Sequence, residues 1–177
     1  MEQIAFSYNE IHQTVAELAA RITSSDYDPE VIVAIGTGGY IPARIIKTFL
    51  KLPIYTVGIS LYLEDHTTLP SPRKIQWIDE VEQKLEGKRI LLVDEVDDSR
   101  TTLEYCIREL LAHAPAALSV AVLHNKDKEK RGVIPNEVSH YWAGQELPDA
   151  WIKYPWDAAD IVQHDQAAAV KTVSAEA

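Results

Sequence analysis

The stretch from Ile90 to Leu103, ILLVDEVDDSRTTL, constrains this chain more than any other. Four apolar residues end in two acids, Asp94 and Glu95; Val96 and two more acids, Asp97 and Asp98, follow, then Ser99-Arg100-Thr101-Thr102. The residues from Arg89 to Val93 read as a buried strand, and the periodic run from about Thr101 to Ala112 reads as a helix. Ligands in open α/β sheets sit at the carboxyl ends of the strands. A loop there turns backbone N–H groups inward, and the next helix N-terminus adds a positive partial charge, so the site suits a phosphate. Ser99, Thr101 and Thr102 add hydroxyl donors. Acids beside a phosphate make sense if they face hydroxyls, a divalent cation, or a proton that must move. A second reading makes them a solvated cluster capping the helix, with Asp98 or Ser99 as N-cap. It leaves unexplained why acids stand directly at the end of a buried strand.

The rest of the chain supplies the sheet. Ser7 to Glu10 has the capping-box pattern, and Ile11, Val15, Leu18, Ala19 and Ile22 follow at helical spacing, which predicts a helix over 8–23. Val31 to Ile35 is a short buried strand, followed by the loop Gly36-Thr37-Gly38-Gly39 and a helix from about Pro42 to Leu50. Further strands are expected at Ile54–Ser60, Leu118–Leu123 and Val138–Trp142. Residues 61–74 carry acids and prolines without a period and read as a long loop of the kind that forms lids. Gln76 to Leu85 mixes a short strand or turn with some helix. From about Gln163 the residues are small and polar, so 163–177 is expected to be a disordered tail after a single domain over 1–162. Alternating strands and helices predict an α/β fold: an open, mostly parallel twisted sheet flanked by helices.

Composition excludes several function classes. The formal net charge is -10, which argues against a nucleic-acid binder, because phosphate contacts need clustered Lys and Arg. No apolar run is long enough to span a membrane, and Met1-Glu2-Gln3 does not open a secretion signal. Cys106 is the single cysteine, so no internal disulfide forms, and the cytoplasm is the expected location.

The 90–103 segment resembles the phosphoribosyl-pyrophosphate motif of the type I phosphoribosyltransferases: four hydrophobics, two acids, a short spacer, then a Thr-rich phosphate loop. The resemblance implies that Asp94 and Glu95 meet the ribose hydroxyls and a metal, and that Asp98, Ser99, Arg100, Thr101 and Thr102 surround the 5-phosphate. In the purine members the acid matching Asp98 is also the base at purine N7. Asp97 receives no role and reads as a solvated acid. Many members have Gly where this chain has Arg100, which either adds charge at the phosphate or points outward.

Three other stretches carry the resemblance. Ile35 to Arg44 is similar to the pyrophosphate loop of purine phosphoribosyltransferases, although a Gly-rich loop alone is as consistent with a tight turn. The likeness implies pyrophosphate contacts at Thr37, Gly38 and Gly39, with a non-proline cis peptide at Thr37–Gly38. Relatives often have Lys or Arg at Thr37; here backbone amides remain, together with Arg44 unless that is only a helix-surface residue. In Leu123-His124-Asn125-Lys126, Lys126 matches the lysine that donates to the exocyclic oxygen at purine position 6, where adenine would present a donor to a donor. Trp151-Ile152-Lys153-Tyr154-Pro155-Trp156-Asp157 resembles the W-x-x-x-P-W-acid stretch of bacterial xanthine–guanine and fungal hypoxanthine–guanine and xanthine enzymes. It implies that Trp151 stacks on the purine, that the Ile152 carbonyl meets its edge, that Lys153 and Tyr154 tune purine position 2, and that Asp157 helps hold a metal through water. Leu61-Tyr62-Leu63-Glu64-Asp65 and Ile75 to Asp79 look like the fungal enzymes around their catalytic loop. Arg73 or Lys74 then reaches pyrophosphate, or both are ordinary solvated cations.

The resemblance thus implies the type I phosphoribosyltransferase fold with a small hood region. The implied reaction joins the 5-phosphoribosyl group of phosphoribosyl pyrophosphate to N9 of a 6-oxopurine, with Mg²⁺ as cofactor, in a homo-oligomer (dimer or tetramer). An alternative within the same fold is a non-catalytic sensor of phosphoribosyl pyrophosphate. A receiver-type signalling domain is rejected, because it needs acids at the end of the first strand, where this chain has Gly36.

Overall fold

The computed structural model describes residues 3–62 and 68–175. In chain order the elements are β1 (Gln3–Ala5), α1 (Tyr8–Thr23), β2 (Val31–Gly36), α2 (Tyr40–Leu50), β3 (Ile54–Tyr62), β4 (Thr68–Gln76), α3 (Val81–Leu85), β5 (Arg89–Asp97), α4 (Thr101–Leu111), β6 (Ala117–Asp127), β7 (Val138–Pro148), β8 (Trp151–Lys153), a 3-10 turn (Pro155–Asp157) and α5 (Ile161–Ala175).

Helix α1 starts where the capping box puts it. The Ser7 hydroxyl accepts from the Glu10 amide at 3.3 Å, and the Ser7 amide donates to Glu10 Oε2 at 2.7 Å. Its stripe Ile11, Val15, Leu18 and Ile22 is fully buried. Strand β2 is apolar on both sides, as a strand at the centre of a covered sheet must be. Ile32 and Ala34 pack with α1 and α2 on one face, while Val31, Val33 and Ile35 pack with α3 and α4 on the other.

The main sheet has the order β4-β3-β2-β5-β6-β7. The five strands from β3 to β7 run parallel, and β4 is antiparallel to β3 at the edge. A fold of this topology brings the loops after β2, β5 and β6 to one edge of the sheet, where Gly36, Asp97 and Asp127 end their strands. The chain's two ends add a separate parallel pair, β1 with β8, in which Gln3 faces Trp151 and Ile4 faces Ile152. That pair, with the 3-10 turn and α5, is the small region outside the main sheet.

Two expectations are corrected. Residues 61–74 are not a continuous loop: β3 runs on to Tyr62, and β4 returns beside it with Arg73 opposite Ser60. Pro70 and Pro72 suggested loop, but an edge strand tolerates proline because one side of it needs no donor. Leu63-Glu64-Asp65 lies outside the described residues. The expected frayed tail is also corrected, since α5 is a helix from Ile161. Asp160 Oδ1 caps it, accepting from the Val162 and Gln163 amides at 3.0 and 3.1 Å. His164 Nε2 meets the Phe6 carbonyl at 2.8 Å, and Ala168 is buried. A few small-residue contacts dock it, too few to leave an apolar stripe in the sequence.

Candidate active site

Strand β5 runs four residues past Val93, so Asp94, Glu95 and Asp97 lie on the strand itself and Asp98 directly after it. The Glu95 amide donates to Asp94 Oδ1 at 2.8 Å. Burial, and then the charge of Glu95, push the Asp94 carboxyl well above the usual carboxylate range. Glu95 is pushed up to about 7, by burial and then by the charge of Asp157. Its Oε2 atom is buried with no hydrogen-bond partner.

The glycine loop after β2 comes against these acids. A Cβ on Gly38 would lie 1.4 Å from Glu95 Oε2, so a glycine leaves room for the carboxylate. A cis peptide is present one bond earlier than expected, at Gly36–Thr37 instead of Thr37–Gly38. Thr37 and Gly38 join Asp94, Glu95, Asp98, Ser99 and Thr102 in lining a cleft of about 310 Å³.

A smaller hollow of about 60 Å³ is formed by Asp98, Ser99, Arg100 and Thr102. The N-cap of α4 is Arg100 and it has no side-chain cap, so neither Asp98 nor Ser99 caps the helix. The first-turn amides are left without a side-chain acceptor, as an anion site at a helix N-terminus requires. The Ser99 hydroxyl donates to Thr101 Oγ1 at 3.1 Å. Arg100 does not point outward: its Nη2 lies 2.7 Å from Asp97 Oδ2. Asp97 is not a solvated acid either, being 1% exposed.

The third part is a cleft of about 390 Å³ lined by Glu95, Asp98, Lys126, Trp151, Ile152, Tyr154 and Asp157, among others. Lys126 is buried at the end of β6, with Nζ 3.4 Å from Asp98 Oδ1 and 4.0 Å from Asp149 Oδ1. Lys128, which sequence reasoning missed, is closer to both, at 3.1 and 2.9 Å. Burial alone would raise the Asp98 carboxyl, but the Lys128 hydrogen bond and the charges of both lysines outweigh it and hold the carboxyl below its usual value. Trp151 keeps 59% of its surface exposed, a large apolar face left open at the rim. Tyr154 is buried instead, in a stack with Trp156 (ring centroids 4.5 Å apart) and His124 (5.6 Å). Its hydroxyl lies 2.9 Å from His124 Nδ1 and donates to the Glu95 carbonyl at 3.4 Å. Tyr154 thus braces the wall and the acid strand together. Asp157, although exposed, lines the same cleft.

Other expected residues are not brought together with these. Arg44 is exposed on α2 and donates to Thr48 Oγ1 of its own helix at 3.2 Å. Lys74 pairs with Glu109 of α4 at 2.7 Å and lies 4.7 Å over the Trp77 ring. Arg73 is exposed on β4, and Lys153 is exposed in the β1–β8 pair.

Comparison with known proteins agrees with this geometry. The phosphoribosyl transferase domain family matches residues 7–160. A hypoxanthine-guanine phosphoribosyltransferase of Schizosaccharomyces pombe is 41% identical, over 92% of this chain and 93% of that protein. Xanthine phosphoribosyltransferase 1 of Saccharomyces cerevisiae is 40% identical over 92% and 93%. A Neisseria gonorrhoeae protein whose crystal structure has bound ppGpp superposes with a TM-score of 0.89 at 42% identity, over 96% of this chain and 97% of that one. With the family matched over residues 7–160 and relatives 40–41% identical along most of its length, the chain belongs to the phosphoribosyl transferase domain family.

Proposed function

We propose that this protein transfers the 5-phosphoribosyl group of phosphoribosyl pyrophosphate to N9 of a 6-oxopurine (hypoxanthine, guanine or xanthine), giving a nucleoside monophosphate and pyrophosphate for purine salvage. The observation that carries this is Asp98. It belongs at once to the phosphate hollow, to the cleft of Asp94 and Glu95, and to the cleft of Lys126 and Trp151. One acid therefore borders a site for each end of the bond that forms. The names of the fungal relatives support the acceptor. The bacterial relative's ppGpp, which combines guanine, ribose and pyrophosphate groups, supports a cleft suited to those parts.

In this reading the 98–102 loop and the α4 amides bind the 5-phosphate, with Ser99, Thr101 and Thr102 donating hydroxyls. Arg100 stands behind the loop. Thr37, Gly38 and Gly39 offer backbone to the pyrophosphate; Arg44 and Arg73 would have to move to join them. Asp94 and Glu95 face the ribose hydroxyls, Lys126 donates to the purine oxygen, Trp151 and Ile152 hold the ring, and Asp98 manages the N7 proton. The C1–pyrophosphate bond breaks as the C1–N9 bond forms, through a transition state of oxocarbenium character.

Mg²⁺ is the cation proposed here, held by Asp94 and Glu95 and by Asp157 through water. The unpartnered Glu95 Oε2, and the raised carboxyls around it, fit a divalent ion. Asp94 and Glu95 match an ion that commonly takes one or two carboxylates and completes its shell with substrate phosphates and water. When bound, it offsets the charge of the departing pyrophosphate.

The reading extends to a cytoplasmic homo-oligomer that binds neither nucleic acid nor membrane. The net charge of -10 supports the first exclusion. Among the described residues no helix is long and apolar enough to cross a membrane.

An assay with phosphoribosyl pyrophosphate and Mg²⁺ against hypoxanthine, guanine, xanthine, adenine and uracil tests the function. Turnover is expected with one or more of the first three. Turnover with adenine or uracil only would overturn the 6-oxopurine acceptor, and none with any base would favour the sensor. Trp151→Ala is expected to raise the purine KM roughly tenfold, since stacking is worth about 1–3 kcal/mol per base. An unchanged KM in steady-state kinetics would rule out stacking there.

A further inference from the structure

Asp97 is a buried acid that the mechanism above does not use. Its carboxylate collects three partners from different parts of the chain. Arg100 donates to Oδ2 from Nε at 2.8 Å, the Tyr141 hydroxyl donates to Oδ2 at 2.8 Å, and Lys130 Nζ lies 3.6 Å from Oδ1. The Arg100 guanidinium also lies over the Tyr141 ring, 5.4 Å from its centroid. Lys130 does more than neutralise charge, since its ammonium donates to the carbonyls of Asp97 and Asp98 at 2.6 and 2.9 Å. The amides of Arg131 and Gly132 donate to the Ser99 carbonyl at 3.0 and 3.1 Å. A Cβ on Gly132 would meet the Arg100 carbonyl oxygen at 2.6 Å, so the 130–132 segment lies directly against the phosphate loop.

The backbone of Arg100 makes the same point independently. Its φ is 68°, a left-handed conformation that favours glycine. A non-glycine residue stays in such a region when its surroundings over-determine it. Here the side chain is tied to Asp97 and the carbonyl is crowded by Gly132. The cluster also holds two cations against one carboxylate, close behind a loop that takes an anion.

We infer that the buried Asp97 and the half-buried Arg100, Lys130 and Tyr141 around it form a cationic brace that sets the 98–102 loop in the shape that receives a 5-phosphate. These are positioning residues: their side chains are tied to one another and act through the Asp98 and Ser99 backbone. The inference rests on the phosphoribosyl reading of that loop.

The test compares binding of inosine 5′-monophosphate with binding of inosine, by calorimetry, in the wild type and in Arg100→Gly, Lys130→Met and Lys130→Arg. Arg100→Gly removes the clamp while suiting the backbone, so loss of fold does not confound it. The brace predicts that Arg100→Gly and Lys130→Met each weaken the monophosphate about tenfold, or about 1.4 kcal/mol, and leave inosine unchanged. KM for phosphoribosyl pyrophosphate rises more than kcat falls, and Lys130→Arg retains most of the affinity. Equal losses for both ligands, or unchanged monophosphate affinity with a lower Tm, would overturn the brace and leave the phosphoribosyl reading standing. A wild type that binds the two ligands equally would overturn that reading, and the brace with it.

Discussion

Replacing Asp98 with asparagine is expected to lower kcat by roughly 10²–10⁴-fold, the usual contribution of a positioned acid or base, with KM for phosphoribosyl pyrophosphate little changed. The shape of the site separates the two constants. Asparagine fills the same space and keeps an acceptor oxygen, so the loop and the backbone that would hold the 5-phosphate are undisturbed. It cannot take a proton. The two ammonium groups that crowd Asp98, Lys126 and Lys128, retain Asp149 at 4.0 and 2.9 Å, so neither is left without an acidic neighbour. The lysines have a second consequence. They hold the Asp98 carboxyl in its charged form, the form that can accept the N7 proton, and a 6-oxopurine that draws Lys126 to its oxygen takes one of them away. Asp98→Ala removes the same proton acceptor and should lose as much kcat. Steady-state kinetics with each substrate varied in turn separate the constants. Full activity in either variant removes Asp98 from the mechanism.

The parts of this fold legible in the sequence are those written in a few consecutive residues. Ser7 and Glu10 close their capping box three positions apart, and the stripe Ile11 to Ile22 repeats at the helical period, so the sequence predicts α1 over the residues it occupies. The buried runs Val31–Ile35 and Arg89–Val93 mark the central strands in the same way. What escaped depends on distant partners or on position in the sheet. Strand β4 contains Pro70 and Pro72, which speak against a strand unless it is known to lie at the edge. Asp97 looks like any loop acid. Its burial is decided by Arg100 nearby, by Lys130 past the end of β6, and by Tyr141 on β7. The site divided likewise. Asp94, Glu95, Asp98, Lys126, Trp151 and Ile152 could be named from local motifs, and the structure brings them to adjoining clefts. Lys128 and Asp149 could not be named, because no spacing reveals that a strand end and a distant loop share one carboxylate. The cations suggested for pyrophosphate fared differently because a lone Arg or Lys carries no directional signal: Lys74 is committed to Glu109 and Arg44 to its own helix.

Gly39→Ala is expected to be a strongly damaging single-methyl substitution beside the site. An added Cβ would lie 2.6 Å from the Ile35 carbonyl oxygen, 2.7 Å from the Val93 carbonyl oxygen and 3.1 Å from the Asp94 Cα. All three are backbone atoms of β2 and β5, adjacent strands at the centre of the sheet, so no side chain can swing aside to make room. The φ of Gly39 is -67°, which alanine adopts freely, so the penalty is purely steric. Overpacking of this kind costs about 1–3 kcal/mol and lowers Tm on the order of 5–10 °C in a domain of this size. Gly87→Ala makes the contrast. A Cβ there meets nothing within 4 Å, but its φ is 68°, so it strains the backbone without crowding anything. Both variants lose stability, by different routes. Only Gly39→Ala pushes on Asp94 and on the Gly36–Gly39 loop proposed to meet pyrophosphate, so only it should also weaken phosphoribosyl pyrophosphate binding at a temperature where both remain folded. Calorimetric binding set beside thermal melts of the two variants decides the matter. Equal affinities would mean that the β2–β5 contact sets the stability of the sheet without setting the geometry of the cleft.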